Sequence, residues 1–167
     1  NLPIMNRSID TDSLKQVIQK MEDNLVVNSK EYGDYMRKLK VTWADVQRSL
    51  NSDDIAIEFL SFHVSKDSMM YVALTLRRDY DYPKLITLFE EKLLKNISDT
   101  LCYQSKDMTQ IVWGPLFPEL QGVKNIYFSP SGVLYNIGME YLPGMEDYNI
   151  YRLSSTRELV NKKDMNE

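Results

Sequence analysis

The stretch "NIYFSPSGVLYNIGMEYLP", Asn125–Pro143, combines the features on which the fold prediction depends. A short apolar run leads into a Pro-Ser-Gly turn, and a second apolar run follows before a break of small residues. Proline presets φ for a turn, and glycine tolerates the positive φ that many turns require. The stretch therefore predicts a strand, a tight turn and then a second, shorter strand.

Composition limits the functions that this chain can have. Its 167 residues suffice for one hydrophobic core. The net charge of −4 and the scattered Lys and Arg residues predict no nucleic-acid partner. A single cysteine cannot form an internal disulfide, and no apolar run approaches the roughly 20 residues of a membrane span. We therefore expect a cytoplasmic protein with no membrane partner. Since the chain begins with Asn1 and ends in a polar tail, we also expect a piece of a longer protein.

Helical spacing dominates the first fifty residues. The stretch "TWADVQRSL" predicts a short helix in which Thr42 and Asp45 form a capping box and Trp43 anchors the core. The preceding apolar positions predict two earlier helices, because they recur every three or four residues. These positions are Leu14, Val17, Ile18, Met21 and Leu25, then Tyr32, Tyr35, Met36 and Leu39.

Extended segments follow after Asp54. "IAIEFLSFHV" is apolar on both faces, as in a central strand, and "MMYVALTLRR" predicts the returning strand of a hairpin across Lys66–Ser68. "DYPKLITLFEEKLLKNIS" predicts an amphipathic helix, and "SKDMTQIVWGPLFPELQG" a helix broken at Gly114-Pro115. A strand at about Asn149–Leu153 and a helix opened by Ser155, with Glu158 three residues later, complete the chain. This order predicts an α/β sandwich with a mostly parallel sheet.

Catalytic chemistry has few candidates. His63 and Cys102 are the sole residues of their types, but Cys102 lies in a polar break between predicted helices, so we expect a packing role and no Cys/His dyad. Their separation of some forty residues suits no common metal site, and the glycines form no phosphate loop, so we expect no metal and no cofactor.

The acidic residues divide into two kinds. The pairs Asp53-Asp54, Glu90-Glu91 and Glu146-Asp147 are flanked by turn or helix-surface residues and predict solvated faces. Glu58 lies inside an apolar strand, where a carboxylate needs a partner. We interpret it as a hydrogen-bonded structural acid, with a site residue as the alternative.

The opening stretch resembles the hallmark of the CHAT domain family, caspase-like domains that are often attached to TPR repeats. Ser131 stands where the family commonly has Asp, and Gly138 where it commonly has Pro. Flanking segments agree in order: "TWADVQRSL" with Trp43, "DIAIEFLSF" with Glu58, "IVWGPLFPEL" and "YRLSSTREL" with Ser155. The matching hallmark positions are Ile126, Phe128, Pro130, Gly132, Leu134, Ile137, Glu140 and Leu142.

This resemblance implies an incomplete caspase-like three-layer sandwich with a mostly parallel sheet, preceded by α-helices. Residues 1–40 would be the exit of an upstream TPR-like region, residues 41–160 the N-terminal half of the domain, and residues 161–167 a polar loop. The family's catalytic His and Cys would lie beyond this chain, on a half that pairs near Ile150. The chain would then be the structural part of a cysteine endopeptidase that acts on peptide or protein substrates, without a catalytic residue of its own.

Two other functions stay open at this stage. The chain could be a non-catalytic CHAT-like signalling or docking module that couples helical repeats to a partner protein. A nucleotide-binding α/β domain is a further alternative, although the chain lacks a phosphate loop.

Overall fold

The computed structural model describes residues 11–28, 40–95 and 106–163, and the chain divides into two compact units, residues 1–41 and 42–167. Helix α1 (Thr11–Asn28) belongs to the first unit and confirms the helix predicted from its apolar spacing. The predicted continuation from Tyr32 to Leu39 lies outside the described residues, as does Cys102.

The second unit is mixed α/β. It begins with helix α2 (Trp43–Ser49) and the predicted hairpin of β1 (Asp54–Ser65) and β2 (Ser68–Arg77). The later elements, in chain order, are β3 (Lys84–Glu90), α3 (Lys92–Lys95), α4 (Lys106–Val112), a 3-10 helix (Gly114–Leu120), β4 (Asn125–Ser129), two further 3-10 helices (Gly132–Asn136 and Met139–Tyr141), β5 (Asn149–Arg152) and α5 (Glu158–Lys163).

The five strands of the described residues form one sheet in the order β3-β2-β1-β4-β5. The pairs β1–β2 and β2–β3 are antiparallel, whereas β1–β4 and β4–β5 are parallel. The prediction of a mostly parallel sheet is therefore wrong for the β3-β2-β1 half, because β3 adds a second antiparallel pair. Within the described residues β5 lies at one edge of the sheet, where the strand near Ile150 was expected.

The predicted helix that contains Leu85 and Leu93 is wrong. Its first half is strand β3, and among its described residues only the four of α3 are helical. Register shifts by one residue between Thr87 and Glu90, and consecutive residues Leu88 and Phe89 both pack on the core. This bulge imitates helical spacing, while the β-branched residues Ile86 and Thr87 favour the strand.

Two segments, one before and one within the Asn125–Pro143 stretch, form 3-10 helices. The run after Gly132 forms 3-10 helices and not the predicted short strand, because Gly132 has φ +55° and Leu134 and Met139 are buried in the core. The predicted helix break at Gly114-Pro115 is confirmed, since α4 ends at Val112 and a 3-10 helix begins at Gly114.

The main core lies on one face of the sheet. Ile55, Ile57 and Phe59 alternate along β1 and are at most 2% exposed. Phe59, Trp113 and Phe128 meet edge-to-face with ring centroids 5.8 to 6.2 Å apart. Such aromatic packing stabilises the fold beyond the area that it buries. Trp113, which follows α4, thus joins helix and sheet.

Helix α2 confirms its predicted cap but not its predicted anchor. Thr42 N–H donates to Asp45 Oδ2 at 2.8 Å, and Asp45 N–H donates to Thr42 Oγ1 at 3.4 Å. Trp43, however, is 47% exposed, whereas Val46 and Leu50 are at most 4% exposed. The buried side of this short helix follows the i, i+4 spacing of Val46 and Leu50, and Trp43 remains at its margin.

The C-terminal helix starts later and ends later than expected. It begins at Glu158 and continues to Lys163, so residues 161–163 are helical and only residues 164–167 of the predicted polar loop lie outside the described residues. Glu158 accepts hydrogen bonds from the backbone and hydroxyl of Ser154, while the Ser155 hydroxyl donates to Glu58. Glu158 therefore bonds to Ser154 and not to Ser155, and the helix does not open at Ser155 as predicted.

Candidate functional site

The motif residues singled out from the sequence converge at the carboxyl ends of β4 and β5 and at the part of β1 that pairs with the end of β4. Glu58 of β1 lies beside Ser129 at the end of β4, and Phe128 lies beside Arg152 at the end of β5. The turn 130–132 and the segment 153–156 leave the sheet from these ends. In open α/β sheets, ligand sites usually form at the carboxyl ends of the strands. We therefore take this edge as the candidate functional site.

Glu58 ties β1 to the segment after β5. Its Oε1 accepts hydrogen bonds from Thr156 N–H at 2.6 Å, Thr156 Oγ1 at 2.7 Å and Ser155 Oγ at 3.1 Å. The side chain is half-buried, and three donors stabilise a carboxylate that would otherwise be costly inside a strand. The geometry agrees with the interpretation of Glu58 as a hydrogen-bonded structural acid.

The Pro-Ser-Gly turn is seated on Tyr71 of β2. Val133 N–H donates to Tyr71 Oη at 3.0 Å, and the Ser131 and Ser61 hydroxyl oxygens lie 2.8 Å apart. A Cβ at Gly132 would lie 2.3 Å from Tyr71 Oη, closer than any real contact. Pro130 is buried. The turn therefore needs glycine for its backbone angle and also for space.

Burial raises the pKa of Tyr71, and the hydrogen bond from Val133 N–H opposes this shift only in part. Glu91 lies close to the same hydroxyl, with Tyr71 Oη donating to its Oε2 at 3.3 Å, and its negative charge raises the pKa further. The phenol is thus kept protonated, and its oxygen accepts the hydrogen bond that anchors the turn to β2.

Arg152 holds the 3-10 segments that follow the turn. Its guanidinium donates to Tyr135 O at 3.2 Å, to Ile137 O and to Glu140 Oε2 at 2.7 Å. Leu134 is fully buried among the core residues, and Trp113 Nε1 donates to Met139 O at 3.1 Å. Glu140 and Leu134 thus fix the hallmark segment by charge and by packing.

One predicted solvated acid is buried instead. Asp54 is 2% exposed and accepts hydrogen bonds from Asn51 N–H at 2.8 Å and from Asn125 Nδ2 at 2.8 Å. Asn149 Nδ2 donates to Asn125 Oδ1 at 2.9 Å, so a polar ladder links the starts of β1, β4 and β5. Asp54 was misjudged because Asp53 and the turn before it resemble a surface loop.

His63 lies far along β1, next to the hairpin turn, and is exposed. It borders a shallow cleft with Lys66, Asp67 and Lys92. In the part of the chain that the structure describes, no three His, Cys, Asp or Glu side chains are grouped so that they could hold a metal ion. The candidate site, as far as the structure describes it, thus consists of hydrogen-bonded residues such as Glu58, Tyr71 and Arg152. His63 is not part of it.

Two supports of the site were not identified from the sequence. Arg152 is a charge at the end of a short strand, directly after Ile150 and Tyr151, and is a weaker form of the signal that identified Glu58. Tyr71 has no such signal, since tyrosine is common in strands and its partner Val133 lies 62 residues away.

Comparisons with known proteins add no relative. No family model matches the chain, and neither a curated protein nor a solved structure matches it. Over the described residues, none of the helices combines the length and the hydropathy needed to cross a bilayer.

Proposed function

We propose that this chain forms the structural, N-terminal part of a CHAT-type caspase-like cysteine endopeptidase. The observation that supports it best is the union of three separate motif segments at one sheet edge: Glu58 in β1, the turn Pro130–Gly132 after β4, and Ser155–Thr156 after β5. These segments are spread over about a hundred residues of the sequence, and all three meet at the same end of the parallel strands. The proposal extends the mixed α/β fold to a caspase-like three-layer sandwich.

The edge strand β5 supports the proposed partner. Among the described residues, β5 ends the sheet and pairs with β4 alone. A strand with an unpaired edge is a template for another strand. We propose that the catalytic half of the domain pairs there, near Ile150, and that TPR-like helices precede the domain within residues 1–40.

In this proposal the chain positions groups and does not react. The partner half's imidazole takes the proton of its thiol, and the sulfur then attacks the scissile carbonyl carbon of a peptide or protein substrate. That proton passes to the leaving amine, and water hydrolyses the thioester that remains. The contribution of Glu58, Gly132 and Arg152 is a rigid sheet edge on which these groups can be aligned.

The test is to express the complete open reading frame that contains this sequence and treat it with a peptidyl acyloxymethyl ketone. We expect covalent labelling of one cysteine beyond residue 167, near a strand that follows a His-Gly pair. Cys102→Ser and His63→Ala should leave the labelling rate within about twofold of wild type, because neither residue would touch the substrate. Labelling of Cys102 that His63→Ala abolishes would overturn the proposal.

A non-catalytic docking module is the second candidate. Leu60, Phe62 and Leu85 are 41 to 65% exposed, and apolar surface of this kind often marks an interaction site. A reading frame with neither a His-Gly pair nor a cysteine after residue 167, together with no labelling, would favour this module over the peptidase.

A further inference from the structure

The sheet face opposite the main core contains a cleft that the proposed peptidase function does not use. It has a volume of about 90 Å³ and lies between α2, the hairpin and the loop before β3. One carboxylate, that of Glu58, stands in an otherwise largely apolar wall. The lining residues are Trp43, Val46, Ala56, Glu58, Leu74, Leu76, Pro83 and Thr156.

The two oxygens of Glu58 differ in their surroundings. All three hydrogen bonds from Ser155 and Thr156 end on Oε1. Among the residues that the structure describes, no donor is bonded to Oε2, and the Glu58 side chain lines the cleft together with apolar residues. A ligand that complements this arrangement needs an apolar stem and a cationic tip.

We propose that this cleft binds a lysine side chain of a partner protein. Lysine combines four methylene groups with a compact ammonium, and aliphatic stems of this kind lie along apolar surfaces. Arginine fits less well, because its planar fork prefers both carboxylate oxygens and Oε1 already has three donors. Trp43 is 47% exposed and also lines the cleft, and a tryptophan ring attracts a cation over its face.

The test is an NMR titration of the isotope-labelled chain with N-acetyl-lysine-amide at low salt. N-acetyl-norleucine-amide is the matched control, since it keeps the stem and lacks the ammonium. We expect saturable shifts of the Thr156 amide and the Trp43 indole N–H with the lysine compound. The norleucine compound should bind at least about tenfold more weakly, since it cannot make the charged hydrogen bond. Equal binding of the two compounds would refute the proposal.

Two variants separate a binding role of Glu58 from a structural one. Glu58→Gln keeps an acceptor for Ser155 and Thr156 but removes the charge, and we expect about a tenfold loss of lysine binding with an otherwise conserved spectrum. Asp79→Asn changes the net charge equally, lies outside the cleft and should bind like wild type.

Trp43→Ala should weaken binding several-fold, because it removes the rim that contacts the ammonium. Tyr141→Ala, an exposed aromatic residue outside the cleft, should not. Unchanged binding in Glu58→Gln, or tighter binding of N-acetyl-arginine-amide than of the lysine compound, would overturn the proposal.

Discussion

Gly132 is a position at which both the backbone angle and the packing require glycine. Its φ of +55° strains any residue with a Cβ, and that Cβ would meet Tyr71 Oη at 2.3 Å. We expect Gly132→Ala to lower the free energy of unfolding by about 2–4 kcal/mol, of which the backbone accounts for roughly 1–2 kcal/mol. Urea denaturation measures it.

The matched control for this substitution is Gly122→Ala. Gly122 has φ +73°, but nothing lies within 4 Å of its added Cβ, so we expect the backbone cost of about 1 kcal/mol alone. Tyr71→Phe removes the clashing hydroxyl, and Gly132→Ala should cost less in that background. Equal losses for the two glycines would show that Tyr71 does not confine the turn.

Glu58 allows a second test at the residue scale. Glu58→Ala removes the acceptor for Ser155 and Thr156, and we expect a loss of about 2–3 kcal/mol in urea denaturation. Glu58→Gln should lose less than half of this, because its amide oxygen can still accept. Amide exchange at Thr156 should accelerate in the alanine variant. If both variants lose the same amount, charge and not the shared acceptor stabilises the segment.

The sequence predicts the role of a site residue only where the interactions that fix this role lie within a few residues of it. Gly132 and Thr42 are predictable, because turn and cap chemistry acts over a few residues. Glu58 could be recognised as an acid that needs a partner. The partner itself could not, since Thr156 lies 98 residues away and only the parallel pairing of β1, β4 and β5 brings the two together.

Among the elements, β3 shows why local periodicity can mislead. Leu85, Leu88, Phe89 and Leu93 fit a helix, but the open edge of β2 and a bulge at Leu88-Phe89 give a strand. The hairpin β1–β2 was predictable, because its alternation is long and its turn is short. The segment after Gly132 was not, since the burial of Leu134 and Met139 in the core overrides the extended pattern.

The sign of one exposed substitution tests whether β3 is a strand. Thr87 is exposed on β3, and Thr87→Ala should lower the free energy of unfolding by up to about 1 kcal/mol, because alanine is a poor strand former. In a helix the same change would stabilise by up to about 0.7 kcal/mol. Gln110→Ala, exposed in helix α4, is the control and should be neutral or slightly stabilising. A stabilising Thr87→Ala would contradict the strand.

At the scale of the whole molecule, the loss of stability at low pH follows from carboxylates that are hydrogen-bonded in the folded state. Burial acts to raise the pKa of Glu119, but hydrogen bonds from Tyr80 and Lys84 outweigh it and lower the pKa below its ordinary value of 4.5. A lowered folded-state pKa gives stability that is present above pH 4.5 and is lost as pH falls through the folded-state value. The urea midpoint should therefore decline below pH 4.5, and Glu119→Gln should flatten this decline.

The alkaline limit has the opposite sign and a different cause. Burial raises the pKa of Tyr71, Tyr80 and Tyr127 above the ordinary value of 10.0. Each raised pKa contributes stability that is fully present below pH 10 and is lost as pH rises through the folded-state value. We expect the urea midpoint to fall above pH 10, with tyrosinate absorbance appearing as the protein unfolds. Tyr71→Phe should lower stability at every pH, because Val133 loses its acceptor, and should also reduce the slope above pH 10. A midpoint that stays constant as pH rises through this range would contradict the burial of these three phenols.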